Sequence, residues 1–450
     1  MQPKHMMEGY RILDFTQFLA GPTTTRLLAE MGAEVIKVEL APAGDPTHQL
    51  PHRRAGRSGY YIQQNRGKKS VCVDIRNPKG LALVKELIKS CDVLLENFSP
   101  GAIARLGLGW DVARQLNPEL IMCSLSAFGQ TGPLSELPGF DYIAMAVSGV
   151  MDMIGDPDQP PYFPMLGIGD VSAGVHALAA INAALLYRYK TGRGQYIDIS
   201  LLDSYFHSHE INVQAYSGSK GKIVPRRSGH HHYAAAPLGL FKCRDGYLFM
   251  VVMARQWVPL CKAMGRDDLV DNPNYDTNAK RVQNRLEIVA IIEDWLRDYD
   301  RDDALRLLQD MHVPVAPVLS VPEAMEHPHL IEREVVRTIH DRGYGDLQIP
   351  GIPLRFSDFP EPLDLQAPYL GEHNREVFSQ FAGVTVAEVA ALEAEGVLVS
   401  EPLAYRQGLH VGDSVSLLTD QGERAFQVAG VFYDYGSDQG VVMMLSLIHI

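Results

Sequence analysis

Asp170 has the setting closest to chemistry. It closes the run Gly167-Ile168-Gly169-Asp170. Val175, Leu178, Asn182, Leu185 and Tyr189 then recur at three- and four-residue intervals, which predicts an amphipathic helix ending near Gly192 and Gly194. An aspartate at a helix start is commonly an N-cap. A second use is open to it, because Gly167 and Gly169 permit close approach by a ligand and a helix start offers N–H groups to an oxyanion. With an ordinary carboxylate pKa of about 3.9, the side chain is expected to be ionised at neutral pH.

A second candidate is charge. Arg53, Arg54, Arg57, Arg66, Lys68, Lys69 and Arg76 fall in one stretch with only Asp74 opposing them. In a chain of formal net charge −13, this predicts a local cationic surface for a phosphate-bearing ligand, or else a solvated face or a subunit contact. The acidic balance excludes nucleic acid as the main partner, since that needs a broad basic footprint. His207, His209 and the run His230-His231-His232 lack the spacing and companions of a metal site, so no metal is expected. Glu39 ends a strand where a ribose-binding acid would sit. However, the turn Thr16-Gln17-Phe18-Leu19-Ala20-Gly21-Pro22 lacks the glycine fingerprint of a dinucleotide site and reads as scaffold with a ligand-facing loop.

The elements that would position these residues alternate. Strand patterns at residues 11–15, 34–38, 70–75, 92–95 and 120–125 are separated by helical patterns at 22–31 and 78–90, which predicts a doubly wound parallel sheet in a large α/β domain. Residues 216–229 read as a crossover. Leu240–Cys243 and Tyr247–Met253 then flank Arg244-Asp245-Gly246 as a hairpin, with helices at 256–264, 281–299 and 302–311, enough for a small α+β domain. At 450 residues the chain calls for two or three domains. Five scattered cysteines fit a reducing compartment, and no signal peptide or span of roughly 20 apolar residues is evident, so the expectation is cytoplasmic.

From about Tyr10 to Val399 the chain resembles the family III CoA-transferases, through LDFTQFLAGP, GAEVIKVE, NRGKKSVCVDI, ENFSPGAIARLGLG, SLSAFGQTGP, GIGDVSAG, TGRGQYIDISLLDS and LGEHNREV. The resemblance implies an enzyme that moves coenzyme A from an acyl-CoA to a carboxylic acid, with Asp170 as covalent nucleophile. CoA and acyl-CoA would be substrates, with no permanently bound cofactor. It places CoA contacts at Val73, Arg76, Asn97, Phe98 and Arg105, with Lys37 nearby, and a substrate or oxyanion loop at Gly167, Gly169 and Gly229. It also implies an interlocked homodimer, with the small domain (226–330) inserted between the large domain's two parts (1–225 and 331–399).

Two departures stand out. Leu40 or Ala41 replaces an arginine that often meets the nucleotide, and Ser228-Gly229-His230-His231-His232-Tyr233 replaces a flexible glycine loop, which counts against oxalate as acceptor. The α-methylacyl-CoA racemases share the fold, but Gly139-Phe140-Asp141 puts Phe140 where their second base, a histidine, belongs. Residues 400–444 alternate like strands and resemble part of an ABC-type export permease, and 445–450 resemble a translated sequencing adapter. The stretch 400–450 therefore reads as a chimeric tail, with a natural appended β segment as the alternative.

Overall fold

The computed structural model describes residues 5–393, 397–400, 407–410, 413–419, 422–432 and 442–444. The chain divides into two compact units. The first takes Met1–Val147, Leu166–His207 and Glu334–Ile450, and the second takes Ser148–Met165 and Ser208–Arg333. The small domain expected from the sequence began at 226, whereas this second unit also draws in 208–225 and 148–165.

Six strands form the parallel sheet of the first unit: β1 (Arg11–Asp14), β2 (Glu34–Leu40), β3 (Lys68–Val73), β4 (Val93–Glu96), β5 (Ile121–Ser126) and β6 (Gln195–Ser200). Their order is β3-β2-β1-β4-β5-β6, every neighbour parallel. Runs such as Val93-Leu94-Leu95 are buried throughout, as a sheet covered on both faces requires. Helix Pro78–Ser90 starts where Asn77 caps the N–H of Lys79 and Pro78 takes the first turn. The order reverses between β1 and β4, so the crevice for a ligand opens beyond the carboxyl ends of those two strands.

Buried charge holds that edge of the sheet. Asp14 accepts from the N–H and hydroxyl of Thr16 at 2.8 and 2.6 Å, from Thr25, and from Lys68 Nζ at 3.0 Å. Lys37 donates to Thr16 O at 2.7 Å and pairs with Asp45 at 2.9 Å. The turn after β1 is thereby fixed from three directions.

Helix Ile168–Thr191 runs over much of the expected span, but its buried face is built from small residues. Ala173, Gly174, Ala177, Ile181 and Ala184 are buried with Leu178 and Leu185, while Val175 and Tyr189 of the anticipated apolar stripe are exposed, Tyr189 by 90%. The reason is close approach to helix Ala20–Glu30: Thr24 Oγ1 donates to Gly174 O at 2.9 Å, and a Cβ on Gly174 would stand 2.6 Å from Ala20 O. By length and composition alone this helix could cross a membrane. Its buried face is spent inside the unit.

In the second unit, Leu238–Lys242, Tyr247–Val251 and Val315–Pro317 form an antiparallel sheet. Helices Trp257–Ala263, Arg285–Leu296 and Arg301–Asp310 close a core of Phe241, Leu248, Met250, Leu260, Ile288 and Ile292 over it. The single helix expected at 281–299 is broken at Asn284.

The tail does contain strands. Val397–Ser400 pairs parallel to Gly422–Phe432 and antiparallel to Val442–Met444, and Ser414–Thr419 adds to the edge. The boundary expected after 399 therefore cuts a strand whose partners all lie in the tail. The adapter-like residues 445–450 lie outside the described residues.

Candidate active site

A cavity of about 330 Å³ opens where the sheet order reverses. Gln17, Phe18, Leu19 and Ala20 from the turn after β1 line it, with Asn97 to Pro100 after β4, Ser126 to Phe128 after β5, Phe140 and Asp170. Asn97 ties the first two turns together: its Oδ1 accepts the Gln17 N–H and its Nδ2 donates to Gln17 O, both at 2.8 Å. Phe18 sits at φ 62°, a left-handed conformation that strains a bulky residue and persists because its neighbours over-determine it.

Asp170 occupies the third position of its helix, with Gly167 as N-cap, so the N-cap alternative does not describe it. Its own N–H donates to Asp141 Oδ2 at 2.8 Å. Asp141 is buried and also accepts the hydroxyl of Tyr205, which in turn accepts the Gly169 N–H. The Ile168 N–H goes to Leu166 O. All three leading N–H groups are thus engaged, and the oxyanion donors expected from this helix are not free. The N–H groups of Leu19 and Ala20, which line the same cavity, have no partner among the described residues.

Burial, reinforced by the neighbouring charge of Asp141, pushes the Asp170 carboxyl up to about 7. The ordinary carboxylate pKa expected from sequence is therefore corrected. Tyr60 also feels this charge, since burial and then Asp170 raise its hydroxyl to about 12. Gly167 and Gly169 are required by contact: a Cβ on the first would lie 2.4 Å from Leu19 Cδ2, and on the second 2.2 Å from Tyr205 Cε2.

The structure gathers Asp170, Asn97 and Phe98 around one cavity and places the other expected contacts elsewhere. The Lys37 side chain is 1% exposed and its ammonium is held by Asp45 and Thr16 O, so it does not face this cavity. The Val73 side chain is sealed in the sheet core, leaving only backbone for a ligand. Arg76 is exposed and folded back on Asp74. Arg105 ends the short helix Ala102–Arg105, exposed and without an ion pair among the described residues. Gly229 lies in the second unit at φ 66°, its N–H on Gly155 O at 3.2 Å, and is not among the residues lining the cavity.

The cationic stretch is corrected too. Arg57 makes a two-point pair with Asp341, Arg66 binds Glu30, Lys68 binds Asp14, and all three are buried. Lys69 is shared by Glu34 and Glu376. The carboxylates that neutralise the stretch lie up to 307 residues away in sequence, beyond the reach of a local reading.

Asp141, Tyr205 and Tyr60 were not foreseen as site residues. Asp141 had been read only for the residue before it, and a distant tyrosine carries no local signal.

A doubly wound sheet with a half-buried carboxylate at its switch point defines a nucleotide-type crevice adapted to carboxyl chemistry. The sequence profile of CoA-transferase family III matches residues 7–374, and the chain belongs to that family. Human succinyl-CoA:glutarate CoA-transferase is 35% identical over 396 residues, covering 87% of this chain and 90% of its own. The formyl-CoA:oxalate CoA-transferase of Streptomyces avermitilis is 34% identical over 409 residues, with 87% and 99% covered. A CAIB/BAIF family protein from Brucella suis superposes with a TM-score of 0.74 at 31% identity, over 84% of this chain and 99% of that one. The protein is a CoA-transferase that uses CoA thioesters as substrates.

Proposed function

We propose that this enzyme moves CoA between carboxylic acids through a covalent intermediate on Asp170, and that its acceptor is a small dicarboxylic acid, the class to which glutarate and oxalate belong. The observation that carries the reading is the Asp170 carboxylate, set in a cavity with no cationic side chain among its lining residues and beside Asp141.

An Asp170 oxygen attacks the thioester carbonyl, the C–S bond breaks, and CoA leaves as thiolate from a mixed anhydride. The thiolate attacks the aspartyl carbonyl and releases the donor acid, leaving an aspartyl thioester. The acceptor carboxylate opens that thioester, and CoA returns to the acceptor by the reverse sequence. Acylation removes the charge from Asp170, so the burial and repulsion that destabilise the resting carboxylate are relieved on the way to the transition state, which favours the chemical step selectively. The free N–H groups of Leu19 and Ala20 are the donors available to the developing oxyanion, where one donor is worth about 3 to 4 kcal/mol.

Asp170→Ala abolishes transfer and leaves CoA binding intact. Hydroxylamine added during turnover traps a derivative at Asp170, read by peptide mass spectrometry. Full activity in the alanine variant rejects the mechanism.

The reading extends to a homodimer acting in the cytoplasm. Phe140, Leu166, Leu186 and Tyr189 of the first unit are 73%, 63%, 64% and 90% exposed, an apolar exposure that a partner subunit would cover. Light scattering that returns a monomer mass rejects the homodimer.

A further inference from the structure

The second unit has a cavity of about 170 Å³ lined by three arginines, Arg226, Arg227 and Arg285, with the hydroxyls of Ser228 and Tyr233. Arg227 is committed: its Nη1 pairs with Asp152 and also donates to Asp152 O at 3.0 Å, and its Nε donates to Asp156 O at 3.3 Å. Arg285 makes one bond, to His232 O at 3.2 Å. Among the described residues no carboxylate pairs with Arg226 or Arg285. A guanidinium stays protonated at any working pH, so the exposed Arg226 and the half-buried Arg285 line this cavity as positive charges without a paired carboxylate among the described residues, in a chain of net charge −13. The backbone beside them is fixed, since Gly229 turns back onto Gly155 at a φ of 66° and a Cβ there would stand 3.0 Å from Asp156 Oδ1.

We infer that this pocket binds a small dicarboxylate, with Arg226 and Arg285 as its carboxylate-holding residues, an inference that rests on the acceptor class proposed above. The planar fork of each guanidinium matches a carboxylate in two-point fashion. The phosphates of CoA are the other source of oxyanions. The volume lies below the roughly 300 Å³ at which drug-sized pockets begin, which suits a small acid better than a nucleotide.

Calorimetric titration of the full chain separates the sources. In an Asp170→Ala background, where no turnover occurs, glutarate binds more tightly than butyrate, which has one carboxylate. Adding Arg226→Gln and Arg285→Gln weakens glutarate about tenfold or more and leaves CoA affinity where it was. Two results overturn the inference: glutarate affinity that is absent or indifferent to both substitutions, and a loss confined to CoA, which would assign the pocket to phosphate. Arg226→Lys keeps the charge without the fork and gives an intermediate loss. Transfer activity surviving in Asp170→Ala would reject the proposed mechanism, while the glutarate titration would still decide the pocket.

Discussion

Asp14 and Asp170 are carboxylates of the same unit, close to the same edge of one sheet in sequence logic, and their surroundings drive them in opposite directions. Burial disfavours the charge of both. At Asp14 the cost is outweighed by Lys68, then Lys37 and the Thr16 hydroxyl, which hold the carboxyl down to about 2. At Asp170 nothing positive answers burial, and Asp141 adds to it, so the carboxyl rises to about 7. A matched buried charge serves the scaffold, and an unmatched one is available for chemistry.

The sharpest way to break this contrast is Lys68→Met. Removing the cation strands Asp14 in the core, and we expect a loss of about 3 to 5 kcal/mol in urea unfolding at neutral pH. A loss near zero would mean that Asp14 is not stabilised by its partners. Because the folded carboxyl has the lower pKa, its contribution is present above the ordinary value of 3.8 and disappears as pH falls toward about 2.

Next in size is Asp141→Asn. With one negative neighbour gone, the acid limb of kcat/KM should move from near pH 7 to lower pH, while Tyr205→Phe, which keeps Asp141 charged, should leave the limb high. An unmoved limb in the Asn variant would assign the rise at Asp170 to burial alone.

A smaller effect, of opposite sign to that at Asp14, is expected from Asp170→Asn. The folded protein holds a proton that the unfolded chain releases between 3.8 and about 7, so the raised pKa costs the fold stability progressively as pH rises through that window. The amide should gain about 1 kcal/mol at pH 8, discounted for the partial exposure of the carboxyl, and nothing at pH 3.5. Equal gains at both would sever the effect from ionisation.

The smallest change should follow truncation after Glu393, which removes the tail sheet with its strand Val397–Ser400 intact. Transfer activity per molecule should equal that of the full chain, and a clear loss would tie the tail to the enzyme.

The alternation of apolar runs made the parallel sheet legible, and glycines placed the start of the long helix, because both signals are local. Resemblance brought Asp170, Asn97 and Phe98 forward, and the structure puts them on one cavity. What could not be read was pairing across the chain. Lys68 and Arg57 looked like surface charge until Asp14 and Asp341 were set against them. Arg226 looked like linker composition, and only the fold leaves it facing a cavity without a carboxylate. The stripe on helix Ile168–Thr191 misled for a related reason, since glycine and alanine at a close helix contact bury well while contributing little to a hydrophobic period.

The two hydrogen bonds between Asn97 and the Gln17 backbone carry a mechanical consequence. The two loops at the mouth of the crevice are coupled by one side chain, so they should open and close as a single plate. A thioester that touches either would meet a surface already ordered at both, and the loss of loop freedom on association, otherwise charged to each segment, would have been met when the chain folded. Asn97→Ala should therefore appear as slower, weaker capture of substrate by loosened loops, even though the asparagine need never touch the reacting atoms.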